Sequence, residues 1–400
     1  MPISMRAALL AGALCCTGTA AMAEPVSLAQ ALSQGTEQSP RIAQAKAQVE
    51  AAEARARQAG VGPNPELEAE TEGFSGNDAT LALSQRLELG GKRSARVEVA
   101  RAERDFAQLA LARAEADLSR DIRLAHAALR AAEDRAILAR DNVARARELA
   151  RTAGLLVEAG RDPPLRKLRA EALLAEAEAE SARTFADFLA ARRLLATLIG
   201  SDDPELTAGS EADQPLPDAI APGTSGLDER LSEAELKAAR ARIRLAEATA
   251  VPDLTARAGV RRSTNNGSVT MNRETRFVVG LSIPIPIRDR NRGGIAAARS
   301  DSLAAEAGLS LTRLEATRAR RNARLALEAA QTRVEALSGP GATQAEEALR
   351  IAQVGYAAGK FSLVELIDAQ QAYNSAKLAL IEARLDRANA LAALIRANAQ

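Results

Sequence analysis

One stretch constrains the fold more than any other: from Lys92 to about Glu158 the chain has no proline and a single glycine, Gly154. Read as one α-helix, these roughly 65 residues reach ~100 Å at 1.5 Å per residue. A compact globule has no use for such an element. The composition points the same way, with aromatics at 2% and no tryptophan, so the large rings that fill most globular cores are scarce. Alanine, leucine, arginine and glutamate dominate instead, as in long helices packed closely side by side.

The plan occurs twice. "LSQRLELGGKRSARVEVARAE" (residues 83–103) aligns with "LSIPIPIRDRNRGGIAAARSD" (281–301) at an offset of 198. "VEAGRDPPLRKLRA" (157–170) aligns with "YAAGKFSLVELIDA" (356–369) at an offset of 199, with Gly160 on Gly359. Each half reads helix, strand, strand, very long helix, turn, helix. Pro63-Asn64-Pro65 closes the first short helix, and "SGPG" (338–341) interrupts the second long one. The expected division is a first repeat over 24–200, a proline- and glycine-rich linker over 201–226 and a second repeat over 227–400.

Residues 1–23 read as a secretory signal: Arg6, the apolar "AALLAGALCCTG" and the small-residue site Ala21-Met22-Ala23. Cleavage there removes Cys15 and Cys16, and with them any disulfide or thiolate metal site. Leu14 stands where a small residue is wanted for acylation at Cys15. Loss of Arg6 takes the net charge from +1 to zero, which gives nucleic-acid binding no electrostatic support. After the signal no run of 18 apolar residues follows, so no transmembrane helix is expected.

Four short runs alternate with period two, the mark of a strand with unlike faces. In the first, Glu66, Glu68, Glu70 and Glu72 oppose Leu67, Ala69 and Thr71. In the second, Leu81, Leu83, Leu87 and Leu89 oppose Thr80, Ser84, Arg86 and Glu88. Leu254 and Val260 oppose Arg257 and Arg261 in the third, and Phe277, Val279, Leu281, Ile283, Ile285 and Ile287 form one face of the fourth. Each run is long enough to cross a bilayer as a tilted strand. Four strands leave two open edges, untenable in lipid, so several copies would have to close one barrel. The plainer reading is a small sheet lying on the helices, although an alanine-rich helical surface offers little for it to cover.

The duplicated plan, "PNPELE" entering the first strand, and Tyr356, Gly359, Leu366, Asp368, Ala369 and Gln370 in the stretch 356–384 resemble the TolC-like outer membrane efflux family over nearly the whole mature chain. "LELGGKR" (87–93) and the interrupting Pro340 are similar to the subgroup serving cobalt–zinc–cadmium exporters of the resistance-nodulation-division type. The resemblance implies a mainly α fold with a small β part: a homotrimer whose twelve strands form one outer-membrane barrel, and whose helices form a coiled-coil tunnel across the periplasm of a Gram-negative bacterium. It also implies a periplasmic adaptor and an inner-membrane pump as partners, no cofactor and no catalytic residue. In that frame the four glutamates, Arg86, Glu88, Arg257 and Arg261 would face the lumen, with cross-strand charge pairing. The apolar set Leu67, Leu81, Leu83, Leu87, Leu89, Leu254, Val260, Phe277, Val279, Leu281, Ile283 and Ile285 would face lipid. Phe74 and Phe277 would mark the outer end of their strands. Gly160, Arg161 and Asp162, with Tyr356, Gly359 and Lys360, would be the periplasmic tips where the adaptor docks; each glycine equally suits a plain helix C-terminus. An acidic gate expected just before the second tip meets Gln353, Val354, Gly355 and Tyr356 instead.

Lys92, Arg93 and Arg96, with Arg288, Arg290 and Arg292, cluster where strands return to helices. They suit either lipid phosphates at the barrel rim or solvated helix starts. His126, the only histidine, reads as a packing or surface residue, and no soft-metal or nucleophile–base constellation can be assembled. The cargo expected is a divalent heavy-metal cation; the alternatives are the same duct for drugs, or a soluble periplasmic coiled-coil protein.

Overall fold

The computed structural model describes residues 25–72, 78–209, 225–265 and 272–399. The signal-peptide reading and Phe74 fall outside these residues. Helices α1 (Leu28–Gln38) and α2 (Pro40–Ala59) lead into strands β1 (Glu66–Glu72) and β2 (Asp78–Leu87), then helices α3 (Lys92–Glu158) and α4 (Pro164–Ile199). The second half runs α5 (Leu227–Thr249), β3 (Leu254–Asn265), β4 (Asn272–Ser282), α6 (Arg292–Ser338), α7 (Pro340–Ala357) and α8 (Leu363–Ala397). The expected fold class, mainly helical with a small sheet, therefore holds.

Helix α3 is a single element of 67 residues, bounded by Gly91 in a left-handed conformation and by the turn at Ala159. Its counterpart breaks at Gly339, where Pro340 opens α7 at the first helical position and supplies no N–H to continue the α6 ladder. The helices pack through alanine: Ala95, Ala102, Ala125, Ala131, Ala146 and Ala153 are all buried on α3, and small side chains let axes approach towards the lower end of 8–10 Å. Larger residues cluster at two heights. Midway, Ile42, Ile122, Leu129, Leu195 and Ile199 are almost wholly enclosed, each contributing on the order of 2 kcal/mol by burial. His126 belongs to this level; it is 1% exposed and its Nε2–H donates to the Val26 carbonyl at 3.0 Å. A second cluster, with Leu149, Ala153, Leu349, Tyr356 and Leu366, lies at the far end of the long helices.

The first residues of the expected linker pack against the helices. Leu206 and Ala208 are buried in the midway cluster, and Ala208 makes a parallel bridge with Val26. Two apolar side chains with a core to enter hold this segment down. Residues 210–224 are outside those described.

Candidate channel wall and helical tips

The sheet has four antiparallel strands in the order β1-β2-β3-β4, so the ladder edges of β1 and β4 are open. Among the described residues no helix packs over either face, which removes the reading of a sheet resting on the bundle.

Register settles the faces, because directly opposed residues in an antiparallel pair point to the same side. Glu66, Glu68, Glu70 and Glu72 stand opposite Ser84, Ala82, Thr80 and Asp78. Those residues in turn stand opposite Arg257, Gly259, Arg261 and Ser263, and Arg86 opposes Thr255. The row continues to Gly280, Val278, Arg276 and Glu274 on β4. The comb of glutamates thus shares one face with Arg86, Arg257 and Arg261. Leu67, Leu83, Ala258 and Val279 share the other, with Leu81, Val260 and Phe277 in the next row. Leu87 and Leu254 pair at its helix-side end.

On the charged face two arginines of β3 reach past β2 to the glutamates of β1. Arg257 on β3 reaches Glu68 at 3.3 Å and Glu70 at 3.7 Å on β1. Arg261 contacts Glu72 and sits 2.9 Å from Asp78. The strand between them carries short side chains, with Ala82 only 1% exposed and Ser84 Oγ donating to Glu68 at 3.1 Å. An arginine can therefore lie across β2 and span the two inter-strand spacings, about 9.6 Å in all. Six carboxylates (Glu66, Glu68, Glu70, Glu72, Asp78, Glu274) and four guanidinium groups (Arg86, Arg257, Arg261, Arg276) share this face, so it keeps an acidic excess of two.

The apolar face is bare. Leu67, Phe277, Val279 and Leu281 are between 71% and 88% exposed, a contiguous patch of the kind that marks a membrane or a partner surface. Several expected strand positions need correction here. Glu88 lies beyond the end of β2 and off its face: both its oxygens accept from Arg96 on α3, at 2.6 and 3.0 Å, and this charge-assisted fork holds its carboxyl below the usual carboxylate range. Leu89 also lies past β2, its N–H donating to Asp253. Ile283 and Ile285 lie past β4, because Pro284 and Pro286 have no N–H for a ladder. Phe277 sits in the middle of β4 rather than at its outer end, since β3 and β4 run on as far as the Asn265–Asn272 pair.

At the opposite end of the helices the two tips are built alike. The N–H groups of Arg161 and Asp162 both donate to Leu156 O, and those of Lys360 and Phe361 both donate to Gly355 O. Gly160 and Gly359 have φ of 68° and 71°, the left-handed cap of both turns. Gly160, Arg161, Gly359 and Lys360 are exposed, and Asp162 is half-buried against Arg166. Tyr356, grouped above with the docking residues, is 4% exposed. It is a packing residue of the tip, and burial, reinforced by the negative charge of Asp162, raises its pKa. Exposed apolar residues that the sequence reading passed over flank the tips: Leu165 at 73%, Leu168 at 62% and Val354 at 61%. For Leu165 and Leu168 the signal was two leucines just after a turn in an alanine-packed helix.

Gly355 makes room for the Phe361 ring, since a Cβ added there would meet ring carbons at 2.1 and 2.6 Å. Nothing lies within 4 Å of a Cβ at Gly359. Gly355→Ala is therefore expected to expel Phe361 and destabilise the tip by about 1–3 kcal/mol. Gly359→Ala should cost only the left-handed strain, roughly 1 kcal/mol. Hydrogen exchange across residues 349–367 checks the difference; equal protection in both variants would refute it.

Among the described residues no helix is long and apolar enough to cross a membrane, and no group of His, Cys, Asp and Glu could hold a metal ion.

Comparison with known proteins places this geometry among relatives. The family model described as outer membrane efflux protein matches residues 31–201 and 230–400. The chain is 34% identical over 255 residues to the nickel-cobalt-cadmium resistance protein NccC of Alcaligenes xylosoxydans xylosoxydans, an alignment covering 63% of this chain and 57% of NccC. The match thus spans less than two thirds of that relative. With the cobalt-zinc-cadmium resistance protein CzcC of Cupriavidus metallidurans it shares 30% identity, covering 75% of this chain and 72% of CzcC. Among solved structures, a membrane protein from Pseudomonas aeruginosa superposes with a TM-score of 0.77 at 24% identity, over 92% of this chain and 93% of that one. The outer membrane protein VceC of Vibrio cholerae gives 0.74 at 20%, over 92% and 95%.

Proposed function

We propose that this chain, which belongs to the outer membrane efflux protein family, is the exit duct of a tripartite efflux system that carries divalent heavy-metal cations out through the outer membrane. One observation carries the reading: a sheet with two open edges, a charged face, a bare apolar face and, among the described residues, no helix over either. In lipid such a sheet must close its edges. Three copies joined edge to edge would give a twelve-strand barrel with Leu67, Leu81, Leu83, Leu87, Leu254, Val260, Phe277, Val279 and Leu281 against lipid. The glutamate comb, Arg86, Arg257 and Arg261 would then line water. The long helices of both repeats would continue as a periplasmic tunnel, ending at tips where Gly160, Arg161, Gly359 and Lys360, flanked by Leu165 and Leu168, meet an adaptor protein coupled to an inner-membrane pump of the resistance-nodulation-division type. The acidic excess of the wall suits a cationic cargo, and the similarity to the metal-resistance proteins NccC and CzcC supports metals over drugs.

Deleting the gene while its pump and adaptor remain expressed is expected to lower tolerance to nickel, cobalt, zinc or cadmium by several-fold, with tolerance to a drug panel unchanged. Unaltered metal tolerance, or a loss confined to drugs, would overturn the metal reading.

A further inference from the structure

The two basic clusters at the strand-to-helix junctions occupy equivalent places in the repeat, yet the structure spends them differently. In the first half each cation is tied to the protein. Lys92 Nζ lies 2.7 Å from Asp253, Arg93 Nε donates to Gly60 O at 2.6 Å, and Arg96 forks onto Glu88. In the second half Arg288, Arg290 and Arg292 are all exposed, and among the described residues none has a carboxylate partner. Arg290 makes only a bond from Nε to the Pro286 carbonyl, and the intervening Asp289 accepts from the Asn291 backbone.

Directly before these arginines come Ile283, Ile285 and Ile287, which are 50%, 77% and 78% exposed. They prolong the alternation of the bare face of β4 as far as the turn at Pro286, where Ile287 N–H donates to Ile285 O. Within β4 the apolar face runs only from Phe277 to Leu281, about 13 Å along the strand, or some 10 Å of height at the usual barrel tilt. Counting residues up to Ile285 doubles that height to about 20 Å, close to the roughly 25 Å band of a transmembrane barrel. The isoleucines are thus positioned to complete the band, and the arginines to begin where it ends.

Resting on the barrel reading, we infer that residues 283–292 form an interfacial anchor: the isoleucines sit at the acyl boundary of the periplasmic leaflet, and Arg288, Arg290 and Arg292 bind the phosphates of anionic phospholipids. Pro284 and Pro286 keep the segment out of the ladder, and its unpaired backbone groups therefore belong at the interface, where water reaches them, rather than inside the hydrocarbon. In the first repeat Lys92 and Arg96 already have carboxylate partners and only Arg93, bonded to a carbonyl, keeps an unpaired charge, so no equivalent cluster of three is left there.

The test is phosphatidylglycerol binding to the purified full-length oligomer in detergent at low salt, followed by native mass spectrometry. The wild type is compared with a triple Arg288→Gln/Arg290→Gln/Arg292→Gln variant and with the corresponding triple Arg→Lys variant. Binding is expected to weaken about five-fold per arginine removed and to survive in the lysine variant. Retention of phosphatidylglycerol by the glutamine variant at wild-type strength overturns the anchor. So does loss of the oligomer in that variant, which would assign the arginines to a second copy of the chain. A wild type that is soluble without detergent and retains no lipid overturns the channel reading along with the anchor.

Discussion

Replacing Glu66, Glu68, Glu70 and Glu72 together by glutamine is expected to convert the proposed duct from the cation preference its wall predicts to an anion preference. The charged face carries six carboxylates against four arginines. Four amides leave only Asp78 and Glu274 opposing Arg86, Arg257, Arg261 and Arg276, so an acidic excess of two becomes a basic excess of two per copy. Arg257 loses both of its partners, whereas Arg261 keeps Asp78. The fold should survive, because these pairs are partly solvated and exposed ion pairs contribute about 0–1 kcal/mol each. The amides also keep the size and the β-strand fit of the originals. Reversal potentials across a planar bilayer in a salt gradient read the result directly. They should be taken near 0.01 M salt, where the screening length is about 30 Å, rather than at high salt, where it shrinks to about 3 Å. An unchanged sign of the reversal potential would show that these glutamates do not line the conducting path.

The second large effect separates two glycines in adjacent strands. A Cβ built at Gly259 on β3 meets the Leu81 carbonyl oxygen at 2.5 Å and the Ala82 Cβ and Cα at 2.6 and 2.7 Å. These are backbone and near-backbone atoms of β2, which cannot swing aside, so the β2–β3 ladder must open. At Gly280 on β4, in the neighbouring row of the same face, nothing lies within 4 Å. Strand propensity alone makes both substitutions favourable, since alanine removes the excess freedom of glycine in the unfolded chain. Packing reverses the sign at one site only. Gly259→Ala is expected to destabilise by about 1–3 kcal/mol, and Gly259→Val to abolish the folded sheet. Gly280→Ala should be neutral or stabilise by up to about 1 kcal/mol. Denaturant titration of the purified protein, followed through its β-sheet signal, distinguishes them. Equal stabilities for the two alanine variants would mean that the close approach at Gly259 is not a feature of the folded protein.

Much of the architecture was legible in the chain. Helix α3 begins at Lys92 and ends at Glu158, as its freedom from proline and its flanking glycines suggested. The face assignments of β1 and β2 followed from alternation. What escaped sequence reading depended on neighbours. "IPIPI" alternates as well as any strand, yet β4 stops at Ser282 because a ladder needs N–H groups and the prolines have none. Phe277 looked terminal only because the polar residues after Arg261 alternate poorly, although they do pair. Tyr356 stands beside a turn glycine and looked exposed; the leucines of α7 and α8 bury it. Glu88 seemed one more tooth of the polar face until the first turns of α3 brought Arg96 to it.

The division has a physical basis. Helix length, the twofold repeat and the two unlike faces of each strand are local properties. They are written in the periodicity of the backbone, 3.6 residues in a helix and two in a strand, so the sequence alone determined them. Which arginine meets which glutamate depended on the register of three strands and on β2 being thin enough for Arg257 to cross. Which cations are neutralised inside the protein, and which remain for an outside anion, depended on contacts between residues as far apart as Lys92 and Asp253. Those contacts arise only when distant segments pack, and tertiary structure alone decided them.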